Sequence, residues 1–142
     1  MNKKINLSEP LFIGNEKKYL NSCIDDNWVS AKGKFVNKFE NGIRKFTKSN
    51  YAASAINGTS ALHISLKVLG IKNDDEVIVP TLTFIASVNS IIYNRAIPIF
   101  MDVDSYFCLD VKKCINFLNN NTEKKSDGYC YNKITKNRIF AI

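Results

Sequence analysis

The sequence predicts an α/β fold with a mainly parallel sheet flanked by helices. Two observations carry this. Short apolar runs at 51–56, 76–79, 97–103 and 138–142 read as strands. Between the first three lie runs at 60–69 and 84–93, whose apolar residues recur every three or four positions, the helical period. Strands that alternate with helices close as crossovers, and crossovers make parallel sheets.

Taken in order, residues 1–14 read as an extended arm broken by Pro10 and Gly14. Tyr19, Leu20, Cys23 and Ile24 sit at helical spacing and predict a helix over 15–24, ended by Asp25-Asp26-Asn27. Trp28 to Gly33 is a loop holding the only tryptophan. Phe35, Val36, Phe39, Ile43 and Phe46 form the apolar stripe of a second helix over 34–46. The run 51–56 reads as a short buried strand. Leu62, Leu66 and Leu69 lie on one face of the next helix, which stops at Gly70. After a polar turn at 72–75, Glu76–Val79 forms a strand stopped by Pro80. Phe84–Tyr93 forms a helix, and Ile97–Val103 a strand. Asp104-Ser105-Tyr106 is a turn, and Asp110 suits the N-cap of a helix through Leu118. Residues 119–136 are polar and read as a surface loop. Arg138–Ile142 is apolar and reads as a strand. A chain that stops on an apolar strand is expected to be a piece of a longer protein.

Composition narrows the function classes. The chain has 142 residues, enough for one domain with a core, and 45% are hydrophobic, which argues against disorder. No apolar run approaches the roughly 20 residues of a membrane span. Met1-Asn2-Lys3-Lys4 has no apolar stretch behind it, so no signal peptide is read and the expected location is the cytoplasm. Cys23, Cys108, Cys114 and Cys130 lack metal-ligand spacing and are expected to be reduced thiols; no metal site is predicted. The net charge is +7, but the lysines are scattered and no basic run is interleaved with aromatics, which speaks against a nucleic-acid partner.

The stretch Ile56-Asn57-Gly58-Thr59-Ser60-Ala61-Leu62 sits between a predicted strand and a predicted helix. A helix N-terminus has free N–H groups and the positive end of the helix dipole, so it favours an anion. Gly58 permits close backbone approach, and Thr59 and Ser60 add hydroxyls. Two readings stand: a phosphate cradle, and an ordinary helix N-cap. In parallel sheets ligands bind beyond the carboxyl ends of the strands. That rim is predicted to hold Asn57–Ser60, Thr81–Phe84 and Asp102–Asp104, and the convergence of three loops favours the cradle.

Three blocks carry a resemblance: Asn57-Gly58-Thr59-Ser60-Ala61-Leu62-His63; Asp75-Glu76-Val77-Ile78-Val79-Pro80-Thr81-Leu82-Thr83-Phe84; and Ala96-Ile97-Pro98-Ile99-Phe100-Met101-Asp102-Val103-Asp104. With Trp28-Val29-Ser30, Gly33 and Phe39-Glu40 upstream, the sequence resembles the sugar-nucleotide aminotransferases of the DegT/StrS type. The resemblance implies the N-terminal portion of the large domain of the aspartate-aminotransferase (fold type I) architecture, truncated, with pyridoxal phosphate (PLP) as cofactor. It divides the chain into an N-terminal arm with helices at 1–48 and a partial PLP-binding α/β domain at 49–142, with the C-terminal small domain absent.

The resemblance also assigns roles. Gly58, Thr59 and Ser60 match the loop that holds the PLP phosphate. Phe84 matches the aromatic that stacks on the pyridine ring; without the resemblance it reads as a core phenylalanine. Ser30 matches a segment bordering the substrate pocket, although a plain loop serine fits it as well. Asn57 stands where many relatives have serine. Trp28 reads as a packing anchor, His63 as a packed or helix-surface residue, and Asp102 and Asp104 as structural.

No catalytic residue is assigned within these 142 residues. In the family, the lysine that bonds to the cofactor and the carboxylate that pairs with the pyridinium nitrogen both come later. The activity implied is transfer of an amino group, with glutamate as donor, to a keto-sugar nucleotide in bacterial surface-glycan synthesis, by enzymes that are homodimers. The alternative is a non-catalytic truncated remnant, or a phosphate-binding α/β module that associates with a full-length relative. A nucleotide-binding domain of another type is disfavoured, because no G-x-G-x-x-G turn is present.

Overall fold

The computed structural model describes residues 5–28, 30 and 32–142, which leaves Val29 and Ala31 of the predicted loop, and Lys3 and Lys4, outside the described residues. The chain forms two compact units, Met1–Ser54 and Ala55–Ile142.

The first unit holds two helices, α1 (Glu16–Asp25) and α2 (Lys34–Thr47), where the periodicity predicts them. Tyr19 and Phe35 join them, with ring centroids 5.0 Å apart. Gly33 is the N-cap of α2, and a β-carbon there would lie 2.7 Å from the Trp28 ring, so the indole packs on bare backbone.

Residues 51–56 form no strand, contrary to the apolar-run reading, and Tyr51 and Ile56 are exposed. The backbone at Ser54 finds a side chain instead of a ladder. Its N–H (2.8 Å) and hydroxyl (2.9 Å) both donate to the Glu40 carboxylate of α2. These bonds hold the Glu40 carboxyl below its usual value.

The second unit is a five-stranded sheet flanked by helices. Its elements are α3 (Gly58–Leu69), β1 (Glu76–Pro80), α4 (Ile85–Tyr93), β2 (Ile97–Met101), α5 (Val111–Asn121), β3 (Thr122–Lys124), β4 (Cys130–Asn132) and β5 (Arg138–Ala141). The sheet order is β2-β1-β5-β4-β3. β1 pairs in parallel with β2 and β5, but β4 is antiparallel to both β5 and β3. The sheet is therefore mixed rather than mainly parallel, because the segment read as a loop over 119–136 contains the β3–β4 hairpin. Its turn carries Asp127-Gly128, with Gly128 at φ +86°, a hairpin signal the polar composition conceals.

β1 is buried along Glu76–Val79 and sorts the core by alternation. Val77 and Val79 face one side with Ile71, Val88, Ile91 and Ala96, joined by Leu66 of α3. Ile78 faces the other side with Met101, Cys114 and Ile139, joined by Phe117 and Leu118 of α5. So α3 and α4 cover one face and α5 the other. Of the three leucines predicted on one face of α3, Leu66 packs in the core while Leu62 and Leu69 stay largely exposed.

Both helices on the first face end in the same way. At the end of α3, Ile71 N–H donates to Leu66 O and Gly70 N–H to Lys67 O. At the end of α4, Ala96 N–H donates to Ile91 O and Arg95 N–H to Ile92 O. Each is a Schellman motif, whose turning residue takes the left-handed conformation. Gly70 (φ +90°) does so freely, whereas Arg95 (φ +57°) carries a β-carbon into it.

The opposite edge of β1 is tied by buried polar groups. Glu76, 1% exposed, accepts from Asn132 Nδ2 (2.9 Å) and Thr135 Oγ1 (2.6 Å). Asp75 accepts from Arg138 Nε (2.9 Å) and from its terminal nitrogen, and this pairing holds the guanidinium above its ordinary value. Three long-range links thus join the hairpin segment to β1.

Two outcomes follow for urea unfolding. Arg95→Gly raises stability by about 1 kcal/mol, because it relieves the left-handed β-carbon. Arg138→Met lowers it by about 3 kcal/mol, because it leaves the Asp75 carboxylate buried without its partner. An unchanged midpoint for either variant contradicts the corresponding account.

Candidate functional site

Topology sets where the functional residues gather. α3 ends at Leu69, and Ile71 just past it is buried against the sheet shortly before β1 begins, so the first turn of α3 points toward the carboxyl end of the strands. α4 starts directly after the carboxyl end of β1 and packs beside α3. The N-termini of both helices therefore face one rim, where ligands bind in sheets of this kind. The rim is closed on the β2 side by Thr81 N–H donating to Met101 O at 2.9 Å.

Gly58, Thr59 and Ser60 form the first turn of α3. Asn57 is the N-cap: its Oδ1 accepts from Ser60 N–H at 2.8 Å, and its carbonyl accepts from Ala61 N–H at 3.1 Å. The Ser60 N–H is therefore used by the cap, and Asn57, where many relatives have serine, is the capping residue, a role serine also fills. The N–H groups of Gly58 and Thr59, and the hydroxyls of Thr59 and Ser60, have no hydrogen-bond partner among the described residues. A β-carbon built on Gly58 meets nothing within 4 Å, and its φ is not left-handed. Neither backbone conformation nor a neighbouring group of the chain requires glycine here. The glycine opens a helix whose first two N–H groups have no partner among the described residues, an arrangement that favours a phosphate ester.

Phe84 is the N-cap of α4 and makes no cap hydrogen bond. It is 81% exposed and takes no part in the core of this chain. An apolar ring standing on the rim fits a flat partner ring. The structure thus brings Gly58, Thr59, Ser60 and Phe84 to one edge. Ser30 belongs to the first unit, exposed in the turn between α1 and α2.

The acidic residues of the rim are structural. Asp104 Oδ1 accepts from Tyr106 N–H (2.9 Å) and Cys108 N–H (3.1 Å) and shapes the turn after β2. Asp102 pairs with Lys113 at 2.6 Å on the surface. Asp110 caps α5 through Lys113 N–H at 3.0 Å. His63 packs edge-on to Tyr93, with ring centroids 5.9 Å apart. A cleft of about 300 Å³ opens at the opposite edge of the sheet, between residues 72–75 and the hairpin. Its inner wall is the Asp75–Arg138 pair, each satisfied by the other, so it offers no unpaired group of that pair to a ligand. Among the described residues, no helix is long and apolar enough to cross a membrane.

Comparison with known proteins agrees with this geometry. The sequence model of the DegT/DnrJ/EryC1/StrS aminotransferase family matches residues 12–125. The chain is 50% identical over 103 residues to the GDP-perosamine synthase of Escherichia coli O157:H7, covering 72% of this chain and 28% of that protein. It is 46% identical over 112 residues to the GDP-perosamine synthase of Vibrio cholerae, covering 76% and 30%. Among solved structures, the PLP form of the putative sugar aminotransferase Spr1654 from Streptococcus pneumoniae superposes with a TM-score of 0.73 at 25% identity, over 80% of this chain and 29% of that one. The chain therefore spans less than a third of the length of each of these proteins.

Loss of the cap is measurable. Asn57→Ala frees the Ser60 N–H and is expected to cost about 1 kcal/mol of stability, with faster amide exchange confined to the first turn of α3. Exchange spread evenly over the helix contradicts a local capping role.

Proposed function

The chain belongs to the DegT/DnrJ/EryC1/StrS aminotransferase family, and from that premise we propose that it contributes the phosphate and ring contacts of a PLP site in a sugar-nucleotide aminotransferase. In this reading the N–H groups of Gly58 and Thr59 and the hydroxyls of Thr59 and Ser60 receive the cofactor phosphate, and Phe84 lies against its pyridine ring. The observation that carries it is the first turn of α3. Its two leading N–H groups are unpartnered among the described residues, and a β-carbon at Gly58 would meet nothing of the chain itself.

When bound, the cofactor supplies a conjugated ring that takes up the electron pair released as the amino group moves. The residues of this chain bind and orient it. The anion is held by backbone dipoles and hydroxyls rather than by a side-chain cation, so the grip does not depend on the titration of a basic group. Phe84 fixes the plane of the ring and screens that face from water.

The substrate class we assign is a keto-sugar nucleotide, GDP-linked by similarity to the two perosamine synthases, with glutamate as amino donor and a homodimer as the working form. The product class fits surface-polysaccharide synthesis in the cytoplasm. Residues 49–142 serve as part of the cofactor-binding large domain, and Ser30 borders the sugar nucleotide.

The decisive variant is Gly58→Ala. The new methyl group meets nothing in the chain itself, and alanine favours a helix more than glycine does, so the melting temperature is expected to hold or rise. Titration with PLP, read by absorbance and fluorescence, is expected to show at least tenfold weaker binding than in the unmodified chain. Pyridoxal, which lacks the phosphate, is expected to bind both forms equally poorly. PLP affinity that is unaffected by Gly58→Ala, or equal to that for pyridoxal, contradicts the reading.

A further inference from the structure

We propose that Asn94 is a positioning residue, which through His63 holds the first turn of α3 in place beside α4. The inference rests on the reading of that turn as the PLP phosphate site.

The first half of α3 sends no side chain into the core clusters. Leu66, in its second half, and Ile71, just past its end, enter the core. In the first half Leu62 is 44% exposed, and Thr59, Ser60 and His63 are half-buried. His63, one turn below Ser60, ties this half to α4. Its ring lies edge-on to Tyr93, and its backbone carbonyl accepts from Asn94 Nδ2 at 3.1 Å. Asn94 is the residue at the end of α4 and is 6% exposed. The same amide nitrogen also donates to Ser90 O at 2.9 Å.

The other end of this amide is unusual. Asn94 Oδ1 is the one buried side-chain polar atom without a partner among the described residues. Turning the amide over would set its oxygen against two carbonyls, so the two donated bonds fix the orientation. A buried amide kept with one end unsatisfied is poorly explained by stability, since an apolar side chain of similar volume would fill the place without a desolvated oxygen. It is well explained as a register device between two helices.

Asn94 is also the lower end of a polar seam that climbs α4 to the rim. Ser90 Oγ donates to Ser87 O at 2.7 Å. Ser87 Oγ shares a hydrogen bond of 3.2 Å with Thr83 Oγ1, and Ser87 N–H donates to Phe84 O at 3.0 Å. Residues 83, 87, 90 and 94 lie at helical spacing on one side of α4. The seam therefore connects the residue that grips α3 with the residue that carries the ring contact. A register error between α3 and α4 would move Gly58–Ser60 relative to Phe84, and a rigid cofactor cannot follow both.

The test compares the full chain with Asn94→Leu by thermal melting, by amide hydrogen exchange and by PLP titration. The expected result is a melting temperature that holds or rises, exchange about tenfold faster in the first two turns of α3 alone, and a PLP dissociation constant at least fivefold higher. Should the leucine variant aggregate, Asn94→Ser, which cannot span to His63, carries the same comparison. Unchanged exchange and unchanged PLP affinity overturn the proposal. So does a lowered melting temperature with exchange raised evenly across α3 and α4, the mark of a merely structural role. If the unmodified chain binds no PLP, the cofactor reading fails, and the exchange pattern alone still decides whether Asn94 holds the first turn.

Discussion

The structure depends on β1 being buried on both faces. A parallel strand in that position must be covered by helices on each side, and each helix that links it to a parallel neighbour must carry the chain back to the edge where that neighbour starts. α4 does this between β1 and β2, and α3 lies beside it on the same face. With Val77 and Val79 on one side and Ile78 on the other, the crossover α4 begins at the carboxyl rim, and α3, packed beside it and ending shortly before β1, begins there too. This places Gly58–Ser60 and Phe84 at one edge.

The rim shows how a helix end divides its polar groups between folding and binding. Four N–H groups at a helix start lack helical partners. In α3, Asn57 satisfies Ser60 with its side chain and Ala61 with its carbonyl, and leaves Gly58 and Thr59 open. A stronger cap would leave less for a ligand. The matching end of α4 has Phe84 at its N-cap, a residue whose side chain caps nothing and whose carbonyl alone accepts, from Ser87 N–H at 3.0 Å. Asn57 stabilises the start of α3 and still leaves two N–H groups open, whereas the start of α4 goes without a side-chain cap.

Much of this was legible in the sequence. The helices stood out because their apolar residues keep the helical period, and Gly70 and Asp110 marked a stop and a start correctly. β1, β2 and β5 were readable as short apolar runs with firm breakers. The run at 51–56 was misread because an apolar composition states that a segment can pair, not that a partner strand is there; Ser54 bonds to Glu40 instead. The hairpin at 122–132 was missed for the opposite reason. Its strands are three residues long and polar, held by Asn132, Thr135 and Arg138 reaching Glu76 and Asp75, more than fifty residues away in sequence. No local pattern encodes such links. The motif singles out Gly58, Thr59, Ser60 and Phe84 as proposed cofactor contacts, but the division of N–H groups between the Asn57 cap and open solvent, and the hydrogen bond from Asn94 to His63, are properties of three-dimensional placement.

We propose that the open N–H groups of Gly58 and Thr59 form an anion site built into the fold. The most direct measurement is the backbone amide spectrum of the ¹⁵N-labelled chain during titration with PLP and, separately, with inorganic phosphate. The account predicts that the Gly58 and Thr59 resonances shift downfield with both, while Ser60, already bonded to Asn57, shifts less. Resonances of Gly58 and Thr59 that stay fixed while amides elsewhere respond would contradict it.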